Sequence, residues 1–214
     1  MRPVRRCMLV GLMVLVTSTV GGRAASAGAP TDQLRSRIDR VLAKVMDRDL
    51  RGDERRTAIR AIAYETFDFR EISQRSLARH WQGRTPAERD EFVQLFADVL
   101  ERSYIGQIEQ YSGGEKVQYL GETINGEQSI VRTRIVTKSG TEVPVDYRLH
   151  RVGDRWLVYD VAVEGVSLVS NYRAQFDRII RSSSYRMLAD KLKAKQDEAR
   201  QADASGVKPA SSSR

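Results

Sequence analysis

Histidine, cysteine and paired carboxylates build most hydrolytic, redox and metal sites, and this chain of 214 residues has two histidines and one cysteine. His80 and His150 fall in different predicted elements and show no local metal-ligand spacing, so each reads as an ordinary polar side chain. Cys7 precedes an apolar N-terminal run, away from any folded site. A glycine-rich phosphate loop, a G-x-S-x-G elbow and an H-E-x-x-H pair are all missing from the sequence. Asp146 and Asp160 come nearest to an acid/base pair, but flanking arginines favour structural ion pairing over proton transfer. The chain is therefore read as non-enzymatic, with no metal and no catalytic cofactor.

The chain carries 36 basic and 28 acidic side chains, a net charge of +8. Most of that excess is terminal. Met1–Ala27 holds Arg2, Arg5, Arg6 and Arg23 with no acid, and Lys191–Arg214 holds six bases against Asp197, Glu198 and Asp203. Gly28–Asp190 is left nearly neutral, which excludes a polybasic nucleic-acid surface. Arg2, Arg5 and Arg6 followed by the uncharged run Cys7–Val20 and by Ala25-Ser26-Ala27 predict a secretory signal cleaved after Ala27. Cleavage removes the cysteine, so the exported protein must be held by burial alone, which suits a bacterial periplasm. The expected organisation is a signal at 1–27, one domain at 28–190 and a fraying helix with a disordered basic tail at 191–214.

The elements that would position a site follow from hydrophobic spacing. Leu34, Ile38, Val41, Leu42, Val45 and Met46 recur at helical intervals. Asp53 is expected to cap a second helix bearing Ile59 and Ile62, and Asp68 a third bearing Ile72 and Leu77. Thr85-Pro86-Ala87-Glu88 starts a long helix with Phe92, Leu95, Phe96 and Val99 on one face. From Lys116 the period changes to two, predicting strands at Lys116–Ile124, Glu127–Thr137, Glu142–Arg151 and Arg155–Val163. Further helices are expected after Glu164-Gly165-Val166-Ser167 and from about Ser184. The expected fold is α+β: a four-stranded antiparallel meander with one face covered by several helices around an apolar pocket.

Turn length sets which side chains share a face. A three-residue turn at Lys138–Gly140 places Ile135 opposite Val143, Thr133 opposite Val145 and Val131 opposite Tyr147. A three-residue turn at Val152–Asp154 would set Tyr147 opposite Tyr159 and Val145 opposite Val161. Arg132, Arg134, Asp146, Arg148, His150 and Asp160 then form a charged, solvated face, on which Trp156 and Val158 sit awkwardly. The apolar side either closes around a core or stays open for an apolar ligand.

The run Val158-Tyr159-Asp160-Val161, then Val163-Glu164-Gly165-Val166-Ser167-Leu168-Val169, with Asn171-Tyr172-Arg173 and Gln175-Phe176, closely resembles the MlaC family. Members are also called toluene-tolerance auxiliary proteins. Phe67-Asp68-Phe69, Trp81, the Thr85–Glu88 cap, Phe92, Phe96 and Tyr104 are similar too, so the resemblance spans roughly Thr31 to Ile180. It implies a periplasmic phospholipid-binding shuttle between an outer-membrane lipoprotein complex and an inner-membrane ABC transporter. It implies bound phospholipid as cargo, with acyl chains enclosed and the headgroup in water, in a protein expected to be monomeric. A hopanoid-associated branch and a ligand-free periplasmic adaptor are the alternatives. Facing and resemblance together nominate Val131, Ile135, Val145, Tyr147, Leu149, Tyr159, Val161 and Val163 as the sheet wall of a lipid site. Phe96, Leu100 and Tyr104 with Val166, Leu168 and Val169 are expected to close it.

Overall fold

The computed structural model describes residues 29–111 and 113–205. The expected signal, Met1–Ala27, and the last part of the expected tail, positions 206–214, lie outside them. α1 (Pro30–Met46) opens on a proline, whose fixed φ suits the first turn, and buries Leu34. α2 (Gly52–Thr66) differs from expectation at its start: Arg51 is the N-cap without a side-chain bond, and Asp53 lies within the first turn. There its charge complements the helix dipole without capping. α3 (Phe69–Leu77) is capped as expected, Asp68 Oδ1 accepting from the Glu71 N–H at 2.9 Å. α4 (Pro86–Glu109) begins with a reciprocal capping box between Thr85 and Glu88.

The sheet follows in the order β1 (Lys116–Asn125), β2 (Gln128–Val136), β3 (Glu142–Val152), β4 (Arg155–Val163) and β5 (Val166–Ser167), every pairing antiparallel. The expected meander of four strands thus gains a short fifth. α5 (Leu168–Ser182) and α6 (Tyr185–Ser205) complete the described chain. α6 stays helical beyond Lys191, although Leu192 is the last buried residue among the described side chains.

The β2–β3 register is the predicted one, pairing Val131 with Tyr147, Thr133 with Val145 and Ile135 with Val143. The β3–β4 register is not. Val152 pairs with Arg155, so the turn is the two residues Gly153-Asp154, and Leu149 pairs with Val158. A slip alone would turn Asp160 toward Tyr147. An extra residue, Tyr159, is instead inserted between Val158 and Asp160, a β-bulge that restores the facing so that Tyr147 pairs with Val161 and Arg148 with Asp160. Val145 accordingly pairs with Val163, not Val161. The new register places Trp156 and Val158 on the apolar face, which removes their awkward position.

A second bulge lies in β1 between Tyr119 and Gly121, where Gly121 has φ +131°, a value that L side chains rarely adopt. It throws Leu120 outward, 53% exposed, while keeping Tyr119 opposite Thr133.

Two apolar clusters result among the described residues. In the first, Ile72 and Leu77 of α3, Phe92 and Phe96 of α4, Val169 and Phe176 of α5, and Leu188 and Leu192 of α6 pack with Tyr159. In the second, Leu34 and Ile38 of α1 pack on Val131, Leu149, Trp156 and Val158 of the sheet. Phe67 touches both, forming a parallel bridge to Val158 as the chain passes along β4 from α2 to α3. Helices therefore lie against both faces of β4, with α1 on one and α3 and α5 on the other. The single covered face expected from alternation is too simple at this strand.

Candidate functional site

The charged face read as solvated is buried at its centre. Asp160 is 3% exposed, and its carboxylate accepts from the Ser167 hydroxyl at 2.6 Å, the Val169 N–H at 3.0 Å and the Arg148 guanidinium at 3.1 Å. Ser167 in turn caps α5, accepting from the Ser170 N–H. Glu164 and Gly165, both at positive φ, make the tight reversal that brings Ser167 back beside Asp160. The motif run thus encodes a strand, a turn and a helix start fastened by one carboxylate. Arg132 is paired in register with Asp146 but donates to Thr123 Oγ1.

The opposite face of the sheet is the candidate site. Val131 and Leu149 are fully buried in its α1-covered cluster, with Tyr119, Tyr147 and Val161 partly buried against them. Val145 is buried two residues further along β3, and Thr133 beside it donates its hydroxyl to the Val145 carbonyl. Burial pushes the Tyr147 phenol up to about 12. Tyr119 is also pushed up to about 12, chiefly by burial, with Asp39 and Tyr147 adding to it. The Tyr119 hydroxyl is buried with no hydrogen-bond partner among the described residues, as is Ser129 Oγ on the same face. Arg35 of α1 lies over the Tyr119 ring, 4.5 Å from its centroid.

The nominated residues divide between the two faces. Val131, Ile135, Val145, Tyr147, Leu149, Val161 and Val163 share the wall, although Val163 at its end is 43% exposed. Tyr159 leaves it, because the bulge turns that residue into the helical cluster, where its ring meets His150 edge-on and Arg75 face-on. Phe96, Leu100 and Val169 belong to the helical cluster and Leu168 packs against it. Tyr104 is 38% exposed on α4, and Val166 is 65% exposed in β5. The structure therefore joins the sheet residues to one another and joins most of the expected closing residues to a different core.

Tyr119 was missed by sequence reasoning. Its facing depends on the β1 bulge, which alternation alone does not reveal; the residue type beside Val117 was the one available signal.

The charged side chains elsewhere are mostly accounted for by one another. His80 Nε2 lies 2.8 Å from Asp177, and His150 Nε2 lies 3.1 Å from Asp68. Among the described residues no three His, Cys, Asp or Glu side chains are grouped to hold a metal. An open cavity of about 630 Å³ between α1, Glu65 and Arg155 is lined by Asp32, Arg37 and Arg40, a charged surface unsuited to hydrocarbon. Among the described residues no helix is long and apolar enough to cross a membrane.

Comparison with known proteins supports the same division into sheet and helices. A solved structure described as the phospholipid-binding protein from Ralstonia solanacearum, in complex with a phospholipid, superposes with a TM-score of 0.70. It is 24% identical, and the match covers 79% of this chain and 97% of that one. The toluene tolerance protein ttg2D of Pseudomonas putida is 25% identical over 92 residues, and the chain spans only 43% of that relative's length. The model of the MlaC protein family matches residues 35–194, from the second turn of α1 into α6 and through the whole sheet. By that match, over most of its length, the chain belongs to the MlaC family.

Proposed function

We propose that the chain is a periplasmic phospholipid carrier that moves lipid between the outer and inner membranes. The observation that carries the reading is the apolar wall running across β2, β3 and β4, which is sealed under α1 at Val131 and Leu149 but half-buried at Ile135, Val143 and Val161 and exposed at Val163. Apolar side chains left partly open along several strands are what hydrocarbon chains can lie against. The Ralstonia protein, whose fold this chain shares, holds a phospholipid.

The energetics require a carrier. Each methylene taken out of water is worth about 0.8 kcal/mol, so two chains with about 30 methylenes cost roughly 24 kcal/mol to hydrate. Exchange between a bilayer and an apolar wall involves similar environments, so donor and acceptor set the direction and no covalent bond is broken. The donor and acceptor fitting this reading are an outer-membrane lipoprotein complex and an inner-membrane ABC transporter.

Native mass spectrometry of the purified chain, followed by solvent extraction, tests it. One two-chain phospholipid per protein is the expected result. A triterpenoid mass, or no lipid after expression in a phospholipid-rich host, overturns it. Val145→Asp places a charge in the wall and is expected to abolish lipid co-purification. Should that variant fail to fold, Val161→Asp at a half-buried position gives the same readout, and a folded variant that keeps its lipid refutes the wall assignment.

A further inference from the structure

A wall meant only for hydrocarbon has no use for hydroxyl groups, yet two phenols project from it. Tyr119 in β1 and Tyr147 in β3 both pack on the α1-covered cluster, flanking the strand that carries Val131 and Thr133. The Tyr119 hydroxyl is buried without a partner among the described residues, and Tyr147 is half-buried in the same cluster. In register, Tyr119 stands opposite Thr133 and Tyr147 opposite Val131, two residues apart on the strand between them. Phenylalanine would fill the same space without the penalty of a buried, unmade hydrogen bond.

The position narrows the acceptor. Arg35, exposed on α1, lies over the half-buried Tyr119 ring, which places the ring, with its hydroxyl turned inward, at the boundary between the wall and solvent. A diacyl glycerolipid laid with its chains along the wall and its headgroup in water has its two ester groups at that boundary. Ester carbonyls are acceptors only, and they arrive with no donor of their own. We propose that the Tyr119 and Tyr147 hydroxyls donate hydrogen bonds to the ester carbonyls of the bound lipid and so fix the depth at which it sits. This assignment rests on the carrier reading and narrows its cargo to ester-linked glycerolipid.

Competition between a diacyl phosphatidylglycerol and the dialkyl ether phosphatidylglycerol of equal chain length isolates the carbonyls, because the two differ in little else. The full chain is offered vesicles of an equimolar mixture and the bound masses are compared. The wild type is expected to prefer the ester lipid by about ten-fold, the effect of two ordinary net hydrogen bonds. Tyr119→Phe with Tyr147→Phe is expected to bring that ratio to about one, while the lipid-free double variant melts no lower than the wild type. Each single variant is expected to keep about a three-fold preference. Equal uptake of both lipids by the wild type, or an unchanged preference in the folded double variant, overturns the phenol assignment and leaves the carrier standing. Uptake of neither lipid by the wild type overturns the carrier itself.

Discussion

Asp160 is one side chain on which the join between sheet and helices depends. Its two oxygens take three donors, and two of them, the Ser167 hydroxyl and the Val169 N–H, belong to the first residues of α5 and its cap. Removing the carboxylate leaves a buried N–H and hydroxyl without acceptors, whereas the third partner, Arg148, is 43% exposed and can return to water. Asp160→Ala is therefore expected to cost about 3 kcal/mol in urea unfolding. Asp160→Asn, which keeps one carbonyl acceptor, should cost about half as much. A loss below about 1 kcal/mol in the alanine variant would show that α5 is held by its apolar contacts alone.

Between elements, α5 is tied to the turn after α3 through Asp177, which accepts from His80 at 2.8 Å and from Arg79 at 2.6 Å. The hydrogen bond from His80 holds the Asp177 carboxyl below its ordinary value of 3.8, aided by Arg79 and Arg181. A lowered carboxyl stabilises the fold above its unfolded pKa and loses that effect as pH falls through the folded one. Asp177→Asn should thus be less stable than the wild type at pH 6, and the difference should vanish as pH drops below 3.8. Arg79 and Arg181 reach solvent, so the pH 6 difference should also shrink in 1 M salt. A gap between the two proteins that stays constant from pH 6 to pH 2 would sink this linkage. The elements themselves were largely legible in the sequence, because capping at Asp68 and Thr85 and the alternation of β2 and β3 are local signals. The bulge at Tyr159 was not: one extra residue changes the facing of everything after it, and alternation read with a longer turn gives an equally regular pattern. Half of the site was lost for a related reason. Phe96, Leu100 and Val169 are plainly core residues by spacing, but which side of the sheet their helices pack on is a non-local fact.

For the whole molecule, the two clusters should respond differently to cargo. The helical cluster is rich in aromatic rings: Phe96 and Phe176 each meet Phe92 and Tyr172 as well as one another, and Tyr185 fastens α6 to α4 through the Glu88 carbonyl. On the other face, α1 is fastened at its start by Thr31 to Glu122 and by Gln33 and Arg37 to Trp156, with Leu34 and Ile38 as its main apolar contacts. Lipid on the wall would add apolar contact to α1 and the strands while adding none to α6. A ligand present at 100 times its dissociation constant stabilises by about 2.7 kcal/mol, a midpoint shift of about 5 to 10 °C for a chain of this size. Stripping lipid should therefore lower the melting midpoint and speed amide exchange in α1, β1 and β3 by ten-fold or more, with α4 and α6 little changed. Exchange that accelerates equally in all of these elements would mean that cargo reaches the helical cluster as well, and the separation of a permanent core from a loading wall would have to be abandoned.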